Sequence, residues 1–263
     1  MKINRFYFIF SLFLLFVAGA IFSEKVFSSE SIIPTFLFEK NSFDIGPEKR
    51  PRLISYVRVN RPVVVLTFDD GPKPGYSEDI LDILEFYGIR ATFFVVGKLA
   101  KENSEIIQRM LAQGNEVGNH TYDHLRLANL SEAEVIRQLN ETNLVIGRIA
   151  GKAPRFFRAP GGHFTWKTLQ LAAEHGLIGV GWSVNAGDYV AENGEVPRMS
   201  SLQLARKIIN HCRPGDIILL HNGGTVTREA LPLIIKGLQD KNYSFVTVGE
   251  LLNLSLEKNG HAG

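Results

Sequence analysis

Two short stretches of this chain carry residue types whose spacing suits hydrolytic chemistry. LTFDDGP (66–72) sets two carboxylates, Asp69 and Asp70, side by side at the end of an apolar run. NHTYDH (119–124) sets His120 and His124 four residues apart, a spacing that on a helical turn projects both imidazoles from one face. Two imidazoles and one carboxylate make a facial set of metal ligands, with positions left open for water and substrate. Singly, such a histidine pair is more often a surface or capping pair, and DDGP a turn. Together they fit metal-assisted hydrolysis, for instance of an amide. An amide carbonyl is a poor electrophile and water a poor nucleophile, and a cation improves both. A carboxylate beside the cation accepts the water's proton, and an acid must protonate the departing amine. The same ligand types suit a non-haem iron oxygenase, but a second carboxylate beside them, free to act as a base, fits hydrolysis better.

These groups need a scaffold to bring them together. From Pro62 onward short β-branched runs alternate with amphipathic stretches at helical spacing. The pattern predicts strands at 63–68, 91–96, 115–119, 155–159, 178–184, 216–221 and 244–248. It predicts helices opening at Ser77, at Asn103 or Ser104, and at Ser131, where Glu134 completes a capping-box spacing. Alternation of this kind implies a parallel sheet, and seven strands without a glycine-rich phosphate loop favour a barrel. Asp69 and Asp70 follow the first strand and His120 the third. Arg158 ends the fourth, Asp188 follows the fifth, and His221 ends the sixth. Strand C-termini of a parallel barrel open on one face, so these six groups are expected in one pocket.

LTFDDGP, HTYDH, RAPGG and ILLH, in that order, resemble the motifs of the polysaccharide deacetylases of the NodB-homology type, carbohydrate esterase family 4. The resemblance runs from about Pro62 to Leu252. It implies an α/β fold, a distorted (β/α)7 TIM-like barrel. It also implies a divalent metal, zinc first, with cobalt, manganese or nickel as alternatives, and removal of N-acetyl groups from amino-sugar polymers. By the same resemblance Asp70, His120 and His124 are the metal ligands, Asp69 is the general base, and Arg158 orients that base. His221 is the general acid and Asp188 tunes it. Gly161, after Pro160, offers a backbone donor to the oxyanion, Leu219 lines the pocket for the acetyl methyl, and Tyr189 forms an aromatic wall of the sugar groove. The chain departs from the family pattern at Asn185 and Tyr189, where D-x-x-D-W is frequent. Gly161 replaces a common tyrosine and Asn222 a frequent acid. An altered substrate fit is expected from these changes.

The bulk properties agree with a globular enzyme. The 263 residues are 45% hydrophobic and 21% charged, enough apolar content for a real core. A net charge of +2 from scattered basic residues argues against a nucleic-acid partner. The single cysteine, Cys212, excludes an intrachain disulfide and a thiol-rich metal cluster. Lys2 and Arg5 precede an uncharged run from Phe6 to Phe22, the pattern of a secretory signal that is nearly long enough to remain as an anchor. The expected layout is therefore an N-terminal hydrophobic signal or anchor helix at 1–23 and a stalk or strap at 24–61. The catalytic domain follows at 62–255, with a tail at 256–263. The expected protein is an exported monomer, secreted or anchored to the outer face of the cytoplasmic membrane, touching the membrane only through its N-terminal segment. Its expected substrate is an N-acetylated glycan, peptidoglycan N-acetylglucosamine first. Chitooligosaccharides or acetylated xylan are the alternatives, and a non-catalytic glycan-binding barrel is the remote one.

Overall fold

The computed structural model describes residues 50–189 and 199–256. In chain order its strands are β1 (Leu53–Ile54), β2 (Val63–Gly71), β3 (Thr92–Val95), β4 (Glu116–Asn119), β5 (Phe156–Phe157), β6 (Ile178–Val180), β7 (Val184–Asn185), β8 (Ile217–His221) and β9 (Ser244–Phe245). The helices are α1 (Tyr76–Phe86), α2 (Gly97–Glu102), α3 (Ser104–Ala112), α4 (Glu132–Ala150), α5 (Trp166–Glu174), α6 (Ser201–His211), α7 (Thr225–Gln239) and α8 (Val248–Leu256). The strands pair in the order β1-β6-β5-β4-β3-β2-β8-β7, with β9 on β2, and every one of these pairings is parallel. The result is a curled half-barrel of parallel strands wrapped by helices.

Alternation along β2 decides which residues reach which layer. Val64, Leu66 and Phe68 pack outward against Ile80, Leu81 and Leu84 of α1 and Leu231, Ile234, Ile235 and Leu238 of α7. Val63 and Val65 face the other way, into a cluster with Phe94, Phe156, Ile217 and the α8 residues Val248, Leu251 and Leu252. Continuing that inner row, Thr67 and Asp69 come next, both buried. Helix α7 shows which force dominates. It contains Pro232 and has no side-chain N-cap. An interior proline costs about 3 kcal/mol, whereas burying each large aliphatic side chain contributes about 1.5–3 kcal/mol. Four such residues on its inner face hold the helix in place.

Two differences from the predicted strands have physical causes. The stretch expected as strap contains β1, which pairs with β6, while Tyr56 bridges Asp216 and the Val57 amide donates to the Gly215 carbonyl. Two paired residues are too few to display a period. The run 178–184, expected as one strand, divides into β6 and β7. The Arg158 guanidinium takes the carbonyls of Val180 and Gly181 at 3.0 and 2.8 Å, interrupting the ladder there. The predicted signal or anchor segment and the tail beyond Leu256 lie outside the described residues. Among those described, no helix is long and apolar enough to cross a membrane.

Candidate active site

The site stands at the C-terminal ends of β2, β4 and β8. Asp69 and His221 are direct partners in the β2–β8 register, and both continue the inward rows of their strands. Asp69 is buried, and one of its oxygens, Oδ1, accepts from Arg158 Nη1 at 2.7 Å. The same nitrogen donates to Thr67 Oγ1 at 2.7 Å. With Nε and Nη2 spent on backbone carbonyls, the fully buried guanidinium is anchored on three sides. Its carbon lies 4.2 Å from the centre of the Phe94 ring and 5.7 Å from that of Trp182, so it is gripped between aromatic faces as well. Burial alone pushes the Arg158 pKa down, and the Asp69 charge works against that loss. Trp182 in turn packs its six-membered ring against Gly162. A Cβ there would come within 2.3 Å of the indole, which explains glycine at that point of RAPGG.

Asp70 turns the other way at φ 69, a left-handed conformation that costs a non-glycine residue roughly 1–2 kcal/mol. Its Oδ1 lies 3.2 Å from His120 Nε2 and 3.0 Å from His124 Nε2. The two histidines do not share a helical turn as their spacing suggested. Residues 120–124 form a loop in which Thr121 and His124 are themselves left-handed, at φ 66 and 59. That loop is held from both sides. The first amides of α2, Gly97 and Lys98, donate to the carbonyls of Thr121 and Tyr122. From α4, Gln138 Oε1 accepts the amides of Tyr122 and Asp123 at 2.9 and 2.8 Å. Asn119, the last residue of β4, accepts the Thr121 amide and donates to Leu139 and Asn143.

Asp70, His120 and His124 offer ligand atoms all within 4.8 Å of one another. His120 Nδ1 lies 2.9 Å from the Arg158 carbonyl, which can only accept, so Nδ1 carries a proton and Nε2 is the nitrogen turned toward Asp70. This donor set fits a divalent cation. The electrostatics agree. Burial acts to raise the Asp70 carboxyl, but hydrogen bonds and charge from the two imidazoles outweigh it and hold the group far below the usual carboxylate range. The hydrogen bond to Asp70 raises His124. Among the described residues this cluster is ready to bind positive charge.

Across the site, His221 Nδ1 donates to Asp188 Oδ1 at 2.8 Å, leaving Nε2 unprotonated or charged toward the cleft. Asp188 Oδ2 accepts the His221 amide at 2.9 Å and the Thr227 hydroxyl at 2.6 Å. Burial would lower the His221 pKa, but the hydrogen bond and charge of Asp188, with Asp69 and Asp70 behind, raise it. Tyr189 stands exposed at the rim, its ring centre 5.9 Å from that of His221. Leu219 lies buried two residues below His221 on the same inward row. Pro160 is buried, and Gly161 follows at φ 65 in the turn after β5.

Asp69, Asp70, His120, His124, Arg158, Asp188 and His221 thus gather in one region, with Tyr189 against His221, while Pro160, Gly161 and Leu219 sit on the elements that carry Arg158 and His221. The supporting groups Thr67, Phe94, Asn119, Gln138, Trp182 and Thr227 were not signalled as such. They act through contacts with residues up to 91 positions away, and such contacts leave no local pattern. The Cys212 thiol is pushed up to about 12, chiefly by burial, which disfavours the thiolate.

Comparison with known proteins gives the same answer. The family model described as polysaccharide deacetylase matches residues 56–180. A peptidoglycan-N-acetylglucosamine deacetylase of Bacillus cereus is 34% identical over 203 residues, covering 76% of this chain and 71% of that protein. A chitooligosaccharide deacetylase of a Bradyrhizobium species is 41% identical over 192 residues, covering 73% and 78%. Among solved structures, a carbohydrate esterase family 4 pseudoenzyme of Bacillus anthracis superposes with a TM-score of 0.70 at 30% identity, covering 77% of this chain and 69% of that one. Similarity of this extent, running through the strands that carry Asp69, Asp70 and the histidine loop, shows that the chain belongs to the polysaccharide deacetylase family.

Proposed function

We propose that this chain hydrolyses the N-acetyl groups of an exported amino-sugar polymer, peptidoglycan N-acetylglucosamine, within a distorted (β/α)7 barrel. The observation that carries the reading is the cross-strand pair Asp69 and His221, each locked by its own partner beside the ligand cluster. A module that merely binds glycan needs neither. Because a neighbour of the same fold is named a pseudoenzyme, the fold by itself is no guide, and the intact pair is what favours catalysis.

In this reading Asp70, His120 and His124 hold zinc, which when bound polarises the acetamide carbonyl and lowers the pKa of water to about 7. Asp69, fixed by Arg158, accepts a proton from the attacking water. A carboxylate with one oxygen tied to a guanidinium keeps the other free and aimed. The Gly161 amide helps hold the carbonyl oxygen as it gains charge. His221, kept protonated by Asp188, gives its proton to the departing amine, which cannot leave as an anion. Leu219 provides the apolar floor for the acetyl methyl, and Tyr189 and Pro160 bound the sugar groove. Residues 1–23 supply export, with the domain secreted or held at the outer face of the cytoplasmic membrane, acting as a monomer.

Acetate release by the metal-loaded protein tests this. Release from peptidoglycan or an N-acetylglucosamine oligomer is expected. Release from acetylated xylan alone would make the protein an esterase, and glycan binding without any release would make it a binding module.

A further inference from the structure

The cleft has a charged group that none of the steps above uses. Lys73 follows DDGP directly, and its backbone is clamped by Ser77. The Lys73 amide donates to Ser77 Oγ at 2.7 Å, and the hydroxyl donates back to the Lys73 carbonyl at 3.0 Å. Ser77 also meets Asn222, the residue after His221, at 3.2 Å. The Lys73 side chain folds over the loop that follows His221. A Cβ on Gly223 would lie 2.6 Å from Lys73 Cδ and 2.7 Å from its Nζ, so glycine there keeps the ammonium's berth open. Lys73 is exposed, and its ammonium lies against Gly223, which is two residues along the chain from the proposed acid His221.

Nearby charges do not neutralise it. Glu78 accepts the Gly75 amide at 2.7 Å, and Asp79 pairs with Arg228 at 2.7 Å. Asp188 is buried and already accepts from His221 and Thr227. The other lysine of this wall, Lys207, is spent on the Ala186 carbonyl at 3.0 Å. Among the described residues Lys73 has no carboxylate partner.

We infer that Lys73 is an anion subsite beside the acid histidine, which selects amino-sugar polymers bearing carboxylates over neutral ones. This deepens the proposed function and rests on it. A glycan strand substituted with lactyl or peptide carboxylates presents that charge close to the acetamido group, whereas a chitin-type oligomer presents none. A solvent-exposed pair of this kind contributes modestly and weakens as salt rises.

The test compares wild type with Lys73→Met, which keeps the stem and removes the charge, and with Lys73→Arg. Carboxylate-bearing peptidoglycan fragments and a neutral N-acetylglucosamine oligomer serve as substrates. The ratio of kcat/KM between them is expected to fall about two- to fivefold in Lys73→Met, to be restored in Lys73→Arg, and to converge in high salt. Calorimetric binding of the same fragments is measured alongside. An unchanged ratio with unchanged binding overturns the inference while leaving the deacetylase reading intact. Absence of turnover on both substrates, with binding still dependent on Lys73, overturns the deacetylase reading and keeps the subsite.

Discussion

The two ends of the sheet each hold a half-buried carboxylate, and the two behave oppositely. At the C-terminal end Asp70 is drawn far below its usual pKa because two imidazoles face it. At the N-terminal end Glu116 opens β4 and receives α8. Its Oε2 accepts the Gly249 amide at 3.0 Å and the Thr92 hydroxyl at 3.1 Å, while Thr92 Oγ1 accepts the Val248 amide. These donors are neutral, so burial dominates and the Glu116 pKa rises, with Arg155 opposing and Glu250, itself paired with Arg90, adding to the rise. Burial therefore does not mark a functional acid. What the acid faces does: charge partners at one end, amides and a hydroxyl at the other. One end is organised to hold a cation, the other to seat a helix.

Three experiments press on this contrast. The largest effect belongs to the ligand end. His124→Ala should lose bound metal and with it activity. Asp69→Asn should retain metal yet lose roughly 10²–10⁴-fold in kcat, the worth of a general base. Metal content by mass spectrometry together with acetate release separates the two, and equal metal loss in both variants would exchange the roles given to Asp69 and Asp70. A smaller effect is expected from Asp188→Asn. Without that carboxylate, burial governs His221 and its pKa falls, so the alkaline limb of the pH–rate profile should move to lower pH. Loss of a charged hydrogen bond should cost about 10–100-fold at neutral pH. A limb that stays in place would remove His221 from the role of acid.

The smallest effect lies at the helix-seating end. Because the folded pKa of Glu116 stands above its unfolded value of 4.5, the folded state holds the proton more tightly. Stability should therefore decline as pH rises from 4.5 through the folded pKa. Glu116→Gln, which keeps an acceptor for Thr92 and Gly249, should flatten that decline in denaturant titrations at several pH values. An unaltered slope would mean that Glu116 is not what couples α8 to pH.

Much of this was legible in the chain itself, for reasons particular to each element. The β-branched runs of β2, β3, β4 and β8 announce themselves because both faces of those strands are covered. Their ends carry the polar residues, so the gathering of Asp69, Asp70, His120, Arg158 and His221 follows from strand order alone. The histidine loop was harder. Its spacing suggested a helix, but left-handed Thr121 and His124, pinned by Gln138 and the first turn of α2, bring the imidazoles together instead. Such pinning uses residues from other elements and is invisible in a local window. The division of β6 from β7 was hidden for the same reason, since it depends on where the Arg158 side chain lands.

Adjacency of Asp69 and His221 across one ladder has a consequence for how this molecule could be monitored. No hinge or mobile segment intervenes between them: two strands hold them at a spacing set by main-chain bonds. Sliding either strand by a single residue would present Phe68 or Leu220 to the cleft and turn the polar group into the helical layer. Turnover is thus an assay of alignment in the folded sheet, and recovery of activity after refolding would time the moment at which the central ladder locks.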